Sequence, residues 1–372
     1  MSAPMKICLS GIGNRALPKN PEKSNWMGWV ELIRHSPHFK LVGAHDPSPE
    51  AVQRLTSRGY LSSSQTFQDL EQMLRQVEAN AILIANPAEY HAATIRKAAD
   101  RGLHILVEKP LGNNLAEARD VVKLAETQGL VLAVTQNWRC KDVGRLLREA
   151  IQGGLLGRVG HIFFRYVRDR ENPNYPSYIF AEEFPLLYAM GIHHLDLFRY
   201  ILDDEYVRVS GHSFKPPWSL YQSDTGLNLF LQTQKQVAVV YTGTISSQNR
   251  LIPQESLVVE GEKGTLFNES QWLEPTLWFY PKGQSDRVDL TQGVADGSVT
   301  GQYDIGDQLL LQNFYQAVMD QEKPICSGRD ALQSLAALEA IRLACQQGKP
   351  VFLEQSYEGF PEVYLSLPPG PR

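Results

Sequence analysis

Five short apolar runs set the terms for the first third of the chain. They cover residues 7–11, 39–45, 81–85, 104–107 and 130–134, and each is stopped by glycine, proline or a polar residue. Strands that read as unbroken apolar runs are buried on both faces. Alternating with helices at this spacing, they build a parallel, doubly wound sheet. The intervening pattern predicts helices over 49–58, 67–77, 89–100 and 115–127.

The first run leads into Gly11-Ile12-Gly13-Asn14-Arg15-Ala16. The first glycine permits a tight turn, and the second lets backbone approach a pyrophosphate. The second run ends in Asp46-Pro47, where a carboxylate can accept hydrogen bonds from adenosine ribose hydroxyls. Strand, glycines, helix and acid in this order point to a dinucleotide site. One departure stands out. The acid follows the glycines by about 30 residues instead of the usual 20 or so. The surplus is a proline-containing insertion, 17–25, which covers phosphates or is a passive surface loop. A helix is expected from Trp26, capped by Ser24 or Asn25.

The run 104–107 ends abruptly in Glu108-Lys109-Pro110. The carboxyl end of a parallel strand is where open α/β sheets bind ligands. A lysine there can move the proton that an alcohol loses when it gives up hydride, and its charge can steady an alkoxide. The competing reading is a lysine that only pairs with Glu108.

After Asn137-Trp138-Arg139 the pattern changes. A helix over 142–152 is followed by alternating segments at 159–168, 207–214, 227–232, 237–245, 255–260 and 277–280. These suit a large open, mostly antiparallel sheet, packed on one face and solvated on the other. Further helices are expected at 184–202, 306–319 and 330–346. The fold class is therefore α/β: a Rossmann domain at 1–136, an α/β domain at 137–353, and a draped tail at 354–372. A net charge of −5 argues against a nucleic-acid surface. The widely spaced Cys8, Cys140, Cys326 and Cys345 fit neither a zinc site nor a disulfide scaffold, which suggests a reducing, cytoplasmic setting. No signal-peptide h-region or membrane-length apolar run is present.

The ordered set Gly11-x-Gly13, Asp46-Pro47, Asn86-Pro87 with His91, Glu108-Lys109-Pro110, Asn137-x-Arg139, Gly191-Ile-His193-His-Leu-Asp196 and Ser327-Gly-Arg-Asp330 resembles the Gfo/Idh/MocA oxidoreductases almost end to end. The resemblance implies hydride transfer between NAD, with NADP possible, and a sugar-like or cyclic polyol substrate. It makes Lys109 the catalytic lysine, with His193 assisting. Cofactor contacts are expected from Gly11, Gly13, Asn14, Arg15, Asp46, Asn86, Pro87, His91, Glu108, Pro110 and Asn137. Arg139, Trp138, Tyr178 and Tyr188 are candidates for substrate, and no metal is implied. A homodimer or tetramer is expected by resemblance, with no nucleic-acid or membrane partner.

The family commonly carries Asp-x-x-x-His on the helix through His193. Here the aspartate is Ala189. His193 thus lacks the usual carboxylate, and Lys109 becomes the main proton-transfer group. His194 lies ~100° around the helix and reads as structural, and Asp196 as a tie to a neighbouring element. Two rivals are carried: a redox-neutral NAD-dependent glycosidase, which the resemblance implies because some relatives work that way, and a non-catalytic NAD(P)-responsive binding protein, which the departure at Ala189 favours.

Overall fold

A computed structural model describes residues 3–23, 27–173, 177–248, 253–270, 276–292, 302–356 and 358–365. The chain forms two compact units. The first contains residues 1–140 and 301–332, and the second contains 141–300 and 333–372.

In the first unit the apolar runs become β1 (Met5–Ser10), β2 (Phe39–His45), β4 (Ala81–Ile84), β5 (His104–Val107) and β6 (Leu132–Val134), with a short β3 (Thr66–Phe67) beside β2. The sheet is parallel in the order β3-β2-β1-β4-β5-β6. Strand order therefore reverses between β1 and β4, the switch point at which doubly wound sheets bind ligands. The helices are α1 (Trp29–His35), α2 (Pro49–Ser57), α3 (Leu70–Gln76), α4 (His91–Ala99) and α5 (Leu115–Thr127). Ser48, Asp69 and Asn114 cap α2, α3 and α5 with side-chain oxygens, satisfying first-turn amides. The expected caps and start of α1 at 24–26 lie outside the described residues. Phe67, expected to open a helix, pairs instead with β2.

The insertion after the glycines is anchored where it begins. Ala16 and Leu17 are fully buried in the core with Trp29, Val30 and Ile33. Arg58 donates to the carbonyls of Pro18 and Lys19 at 2.8 and 2.9 Å. A Cβ on Gly28 would stand 2.4 Å from the Ala16 carbonyl oxygen, so glycine is what allows the loop and α1 to touch.

The second unit holds α6 (Asp142–Gln152), β7 (Val159–Val167), α7 (Ile192–Leu202), β8 (Tyr206–Phe214), β9 (Gly226–Thr233), β10 (Ala238–Thr244), β11 (Glu255–Gly261), β12 (Gly264–Ser270), β13 (Trp278–Pro281) and β14 (Val288–Asp289). Chain order then gives α8 (Gln302–Met319), α9 (Gly328–Gln347), β15 (Val351–Gln355) and β16 (Pro361–Tyr364). The ten-stranded sheet runs β14-β13-β12-β11-β7-β10-β9-β8-β15-β16, with β7 and β10 parallel and the other described pairs antiparallel. One face is buried through Ile162, Phe164, Tyr166, Leu229, Leu231, Val239 and Tyr241. The other shows Phe163 and Phe230, about half exposed.

Two expectations are corrected. Helix α8 belongs with the first unit, because Leu311 and Phe314 sit in its core and Phe314 stacks on Phe39 at 6.3 Å. A continuous second domain over 137–353 misses this return. The tail is also not simply draped: Pro361–Tyr364 pairs with Val351–Gln355 and forms the sheet's last strand.

Candidate active site

The turn after β1 is shaped by Gly11, whose φ is +95°. A Cβ there would lie 2.4 Å from the Asn86 backbone nitrogen. Gly13 differs: a Cβ on it meets no protein atom within 4 Å. The fold gives no steric reason for glycine at position 13, whereas a ligand brought against the backbone does. Both glycines line a cleft of about 590 Å³ with His45, Asp46, Pro47, Asn86, Pro87, Tyr90, Thr94 and Lys97.

Asp46 buttresses this turn. Its Oδ2 accepts the Ile12 N–H at 2.6 Å and its Oδ1 the Ser48 N–H at 2.9 Å. A carboxylate has about four acceptor positions, so two remain for ribose hydroxyls. Arg54 donates to the Ile12 carbonyl from the other side. The residues present therefore fit a dinucleotide: a bare glycine cradle, an acid beside it, and an apolar wall.

Five expected cofactor residues, Gly11, Gly13, Asp46, Asn86 and Pro87, meet at this cleft. The other six do not line it, and most have structural employment. His91 is buried between two carbonyls, with Nδ1 2.9 Å from Pro110 O and Nε2 2.8 Å from Asn86 O. It braces the turns that leave β4 and β5, and burial pushes its pKa down. Asn14 accepts the Lys19 N–H at 3.0 Å. Pro110 follows a cis peptide bond with Lys109. Sequence reading missed Tyr90, Thr94 and Lys97. They face the cleft from α4 and the turn before it, and a periodicity of 3.6 could have placed Tyr90, Thr94 and Lys97 on one face.

Arg15, Glu108 and Asn137 belong to a buried polar cluster. Arg15 Nε donates to Glu108 Oε1 at 2.9 Å and its Nη2 to Asp307 Oδ2 at 2.6 Å. The guanidinium lies over the Trp29 ring, 4.6 Å from its centroid, and Trp29 Nε1 donates to the same Glu108 oxygen at 2.8 Å. Asn137 faces Asp307. Burial alone would raise the Glu108 carboxyl; Arg15, Lys109 and Trp29 outweigh it and hold the group below its ordinary value. Lys109 itself is half-buried at the end of β5, and its N–H meets Glu108 Oε2 at 3.2 Å.

Trp138 and Arg139 are buried. Arg139 donates to the Ile325 carbonyl at 2.8 Å and pairs with Asp330, so it anchors the start of α9. A Cβ on Gly328 would lie 2.7 Å from Leu132, and the Ser327 hydroxyl caps the Asp330 amide. The Ser-Gly-Arg-Asp motif is thus a docking joint within the first unit.

In the second unit the helix expected over 184–202 starts with a π turn, Leu187–Gly191, before α7. π turns are rare and frequent at functional sites. Phe184, just before it, has φ of 46°, a strained value for an aromatic residue. His193 opens α7 at 9% exposure. His194 is fully buried against Phe164, Tyr166 and Tyr241, and its Nδ1 lies 3.0 Å from the Tyr241 hydroxyl. Burial, then Lys141, drives its pKa far below the usual value, so it is a neutral core histidine. Asp196 is also fully buried and accepts from Ser334 of α9 at 2.7 Å. Tyr188 faces Glu339 and Arg342 of α9, and burial raises its phenol. The Tyr178 side chain lies outside the described residues.

Residues 26–136 match the family described as oxidoreductases with an NAD-binding Rossmann fold, and residues 148–353 match that family's C-terminal α/β domain. The chain belongs to the Gfo/Idh/MocA oxidoreductases. It is an NAD(P)-dependent oxidoreductase with a nicotinamide dinucleotide as cofactor. Among curated relatives, D-apiose dehydrogenase of Paraburkholderia graminis is 26% identical over 80% of this chain and 79% of its own. Two solved structures share the fold. An Agrobacterium radiobacter oxidoreductase in complex with NAD+, L-tartaric acid and magnesium has a TM-score of 0.80 at 17% identity, covering 94% of this chain and 98% of the other. The WlbA dehydrogenase of Bordetella pertussis, in complex with NADH and UDP-GlcNAcA, has 0.76 at 19%, covering 95% and 100%. Among the described residues, no group of His, Cys, Asp and Glu is placed to hold a metal, and no helix is long and apolar enough to cross a membrane.

Proposed function

We propose that this family member transfers hydride between NAD and a carbon bearing a hydroxyl or keto group on a sugar-like or cyclic polyol. Lys109 is the main proton-transfer group and His193 assists. The observation that carries the reading is the placing of Lys109. It stands half-buried at the carboxyl end of β5, beside a carboxylate fixed from several sides, in the unit that carries the glycine cleft. The dinucleotide, when bound, accepts or supplies the hydride. The chain's own residues do the rest. The glycine turn and Asp46 hold the cofactor, and Lys109 Nζ takes the hydroxyl proton in oxidation or returns it in reduction. The names of relatives support the substrate class: D-apiose dehydrogenase, and scyllo-inositol 2-dehydrogenase of Bacillus subtilis.

NAD is favoured over NADP because the Asp46 carboxylate repels a 2′-phosphate, while the nearby Arg54 is already committed to the Ile12 carbonyl. A row of outward side chains, Phe230, Val240, Phe163, Val258, Phe267 and Trp278, crosses the open sheet and supports a second copy of the chain as its cover. Light scattering that finds a monomer would end that reading. None of the four cysteines is in a disulfide, which supports a cytoplasmic setting.

The test is direct. NADH binding is measured by fluorescence quenching, and polyols, sugars and keto-sugars are screened at the nicotinamide absorbance band. Lys109→Ala should cut turnover by about 10²–10⁴-fold and leave the NADH Kd nearly intact. Unchanged turnover would remove Lys109 from the mechanism.

A further inference from the structure

The cluster behind Lys109 draws one member from far along the chain. Asp307 comes from α8, nearly 300 positions after the glycine turn, and its side chain is fully buried. Its partner Arg15 divides one guanidinium between two carboxylates, Asp307 and Glu108, at 2.6 and 2.9 Å. Glu108 directly precedes Lys109, and the lysine's charge acts on that carboxylate. We infer that Asp307 is a positioning residue for Lys109, acting through Arg15 and Glu108.

Charge balance gives the reason. Burial raises the Asp307 carboxyl and Arg15 opposes that rise; with both carboxyls ionised, they outnumber the one guanidinium by one negative charge. Such clusters persist when they are paired and hydrogen-bonded. The Lys109 ammonium supplies the missing positive charge. Asp307 therefore does two things. It fixes the arm of Arg15 that Glu108 does not use, which locks the Glu108 carboxylate in place. It also prevents Arg15 from neutralising Glu108 alone, so a negative field remains for the lysine. The groups facing Glu108 are Arg15, Trp29 of α1, Thr135 after β6, His91 of α4 and Lys109. Those facing Asp307 are Arg15, Glu108 and Asn137. Arg15 and Lys109 are the cations among them, and His91 is held towards its neutral form by burial.

The sign follows. Removing the Asp307 charge makes the Lys109 ammonium less favourable, so the amine deprotonates at lower pH. This rests on the catalytic reading of Lys109 for its purpose, but it can be measured without any substrate. Only an unprotonated amine reacts with acetic anhydride. Trace acetylation across pH, read at Lys109 by peptide mass spectrometry, gives its midpoint, with exposed Lys40 as internal reference. Asp307→Asn should lower the Lys109 midpoint by about half a pH unit and Glu108→Gln by about one, with Lys40 unmoved. Asp307→Glu, which keeps the charge, should retain the original midpoint. NADH quenching confirms that each variant is folded.

An unmoved Lys109 midpoint in a folded Asp307→Asn protein would overturn the inference. So would a shift in Asp307→Glu as large as that in the asparagine variant. Should Asp307→Asn fail to fold, an unmoved midpoint in Glu108→Gln is equally fatal. The catalytic reading fails by a different result, turnover surviving in Lys109→Ala, so the two failures are distinguishable.

Discussion

Each unit sets an arginine between two carboxylates, and the two clusters serve different ends. In the first, Arg15 joins Glu108 and Asp307. In the second, Arg199 of α7 grips Glu205 with two contacts of 2.6 Å and lies 3.5 Å from Asp196, while Ser334 links it to α9. The inner carboxylate is fully buried in both. The outer ones differ. Glu205 is 30% exposed, whereas Glu108 is 11% exposed and faces a lysine. The same residue types therefore make a joint in one place and, in the role proposed for Asp307, a field acting on the Lys109 amine in the other. What lies beyond the outer carboxylate decides which.

The largest effect is expected at the joint. Arg199→Met strands Asp196 in the interior, and urea unfolding should show a loss of about 3–5 kcal/mol. The Lys109 acetylation midpoint should stay where it is. If it moves as it does in Asp307→Asn, the contrast between the two clusters collapses.

A smaller effect separates cradle from scaffold. Gly13→Ala should weaken NADH binding at least tenfold, about 1.4 kcal/mol, while urea stability stays within about 0.5 kcal/mol. Gly11→Ala should lose stability instead, because its Cβ meets the Asn86 backbone. Equal losses in both assays for Gly13→Ala would show that position 13 is a packing glycine.

The smallest effect is spread over pH. His194 is held neutral when folded, by burial first, so its folded pKa lies below the unfolded value near 6.5. Below that pH the unfolded chain binds the extra proton, and stability falls as pH falls. The slope is up to about 1.4 kcal/mol per pH unit per such histidine. His91 acts in the same direction in the first unit. Replacing the imidazole in His194→Phe should flatten the curve between pH 6.5 and 5 by about one proton. An unchanged slope would mean that His194 does not hold that balance.

The sequence made the parallel sheet legible because buried strands announce themselves as apolar runs. The glycine turn and Lys109 were legible for a related reason: both sit where such a run stops. Long-range charge pairs left no trace. Arg15 was expected among the cofactor contacts because nothing in its surroundings names Asp307, 292 positions away. Helix α8 shows apolar positions, but a stripe does not say which core it joins. Strand β12, with glycine and asparagine among few apolar residues, lacks the alternation that marked its neighbours. His91 was expected at the cofactor because its motif is shared with the family, and the motif does not tell a contact from a brace.

The π turn at Leu187–Gly191 has one more consequence. A π turn carries one residue more per hydrogen-bonded loop than an α turn. Deleting one residue there would let the turn close into regular α-helix, with Phe184 and the residues before it keeping their side of the axis relative to His193. Tyr188 and Ala189, inside the turn, would shift against the histidine. The neighbourhood of His193 is therefore encoded in the length of this segment as well as in its letters, and a single-codon deletion would rewrite it while leaving the histidine untouched.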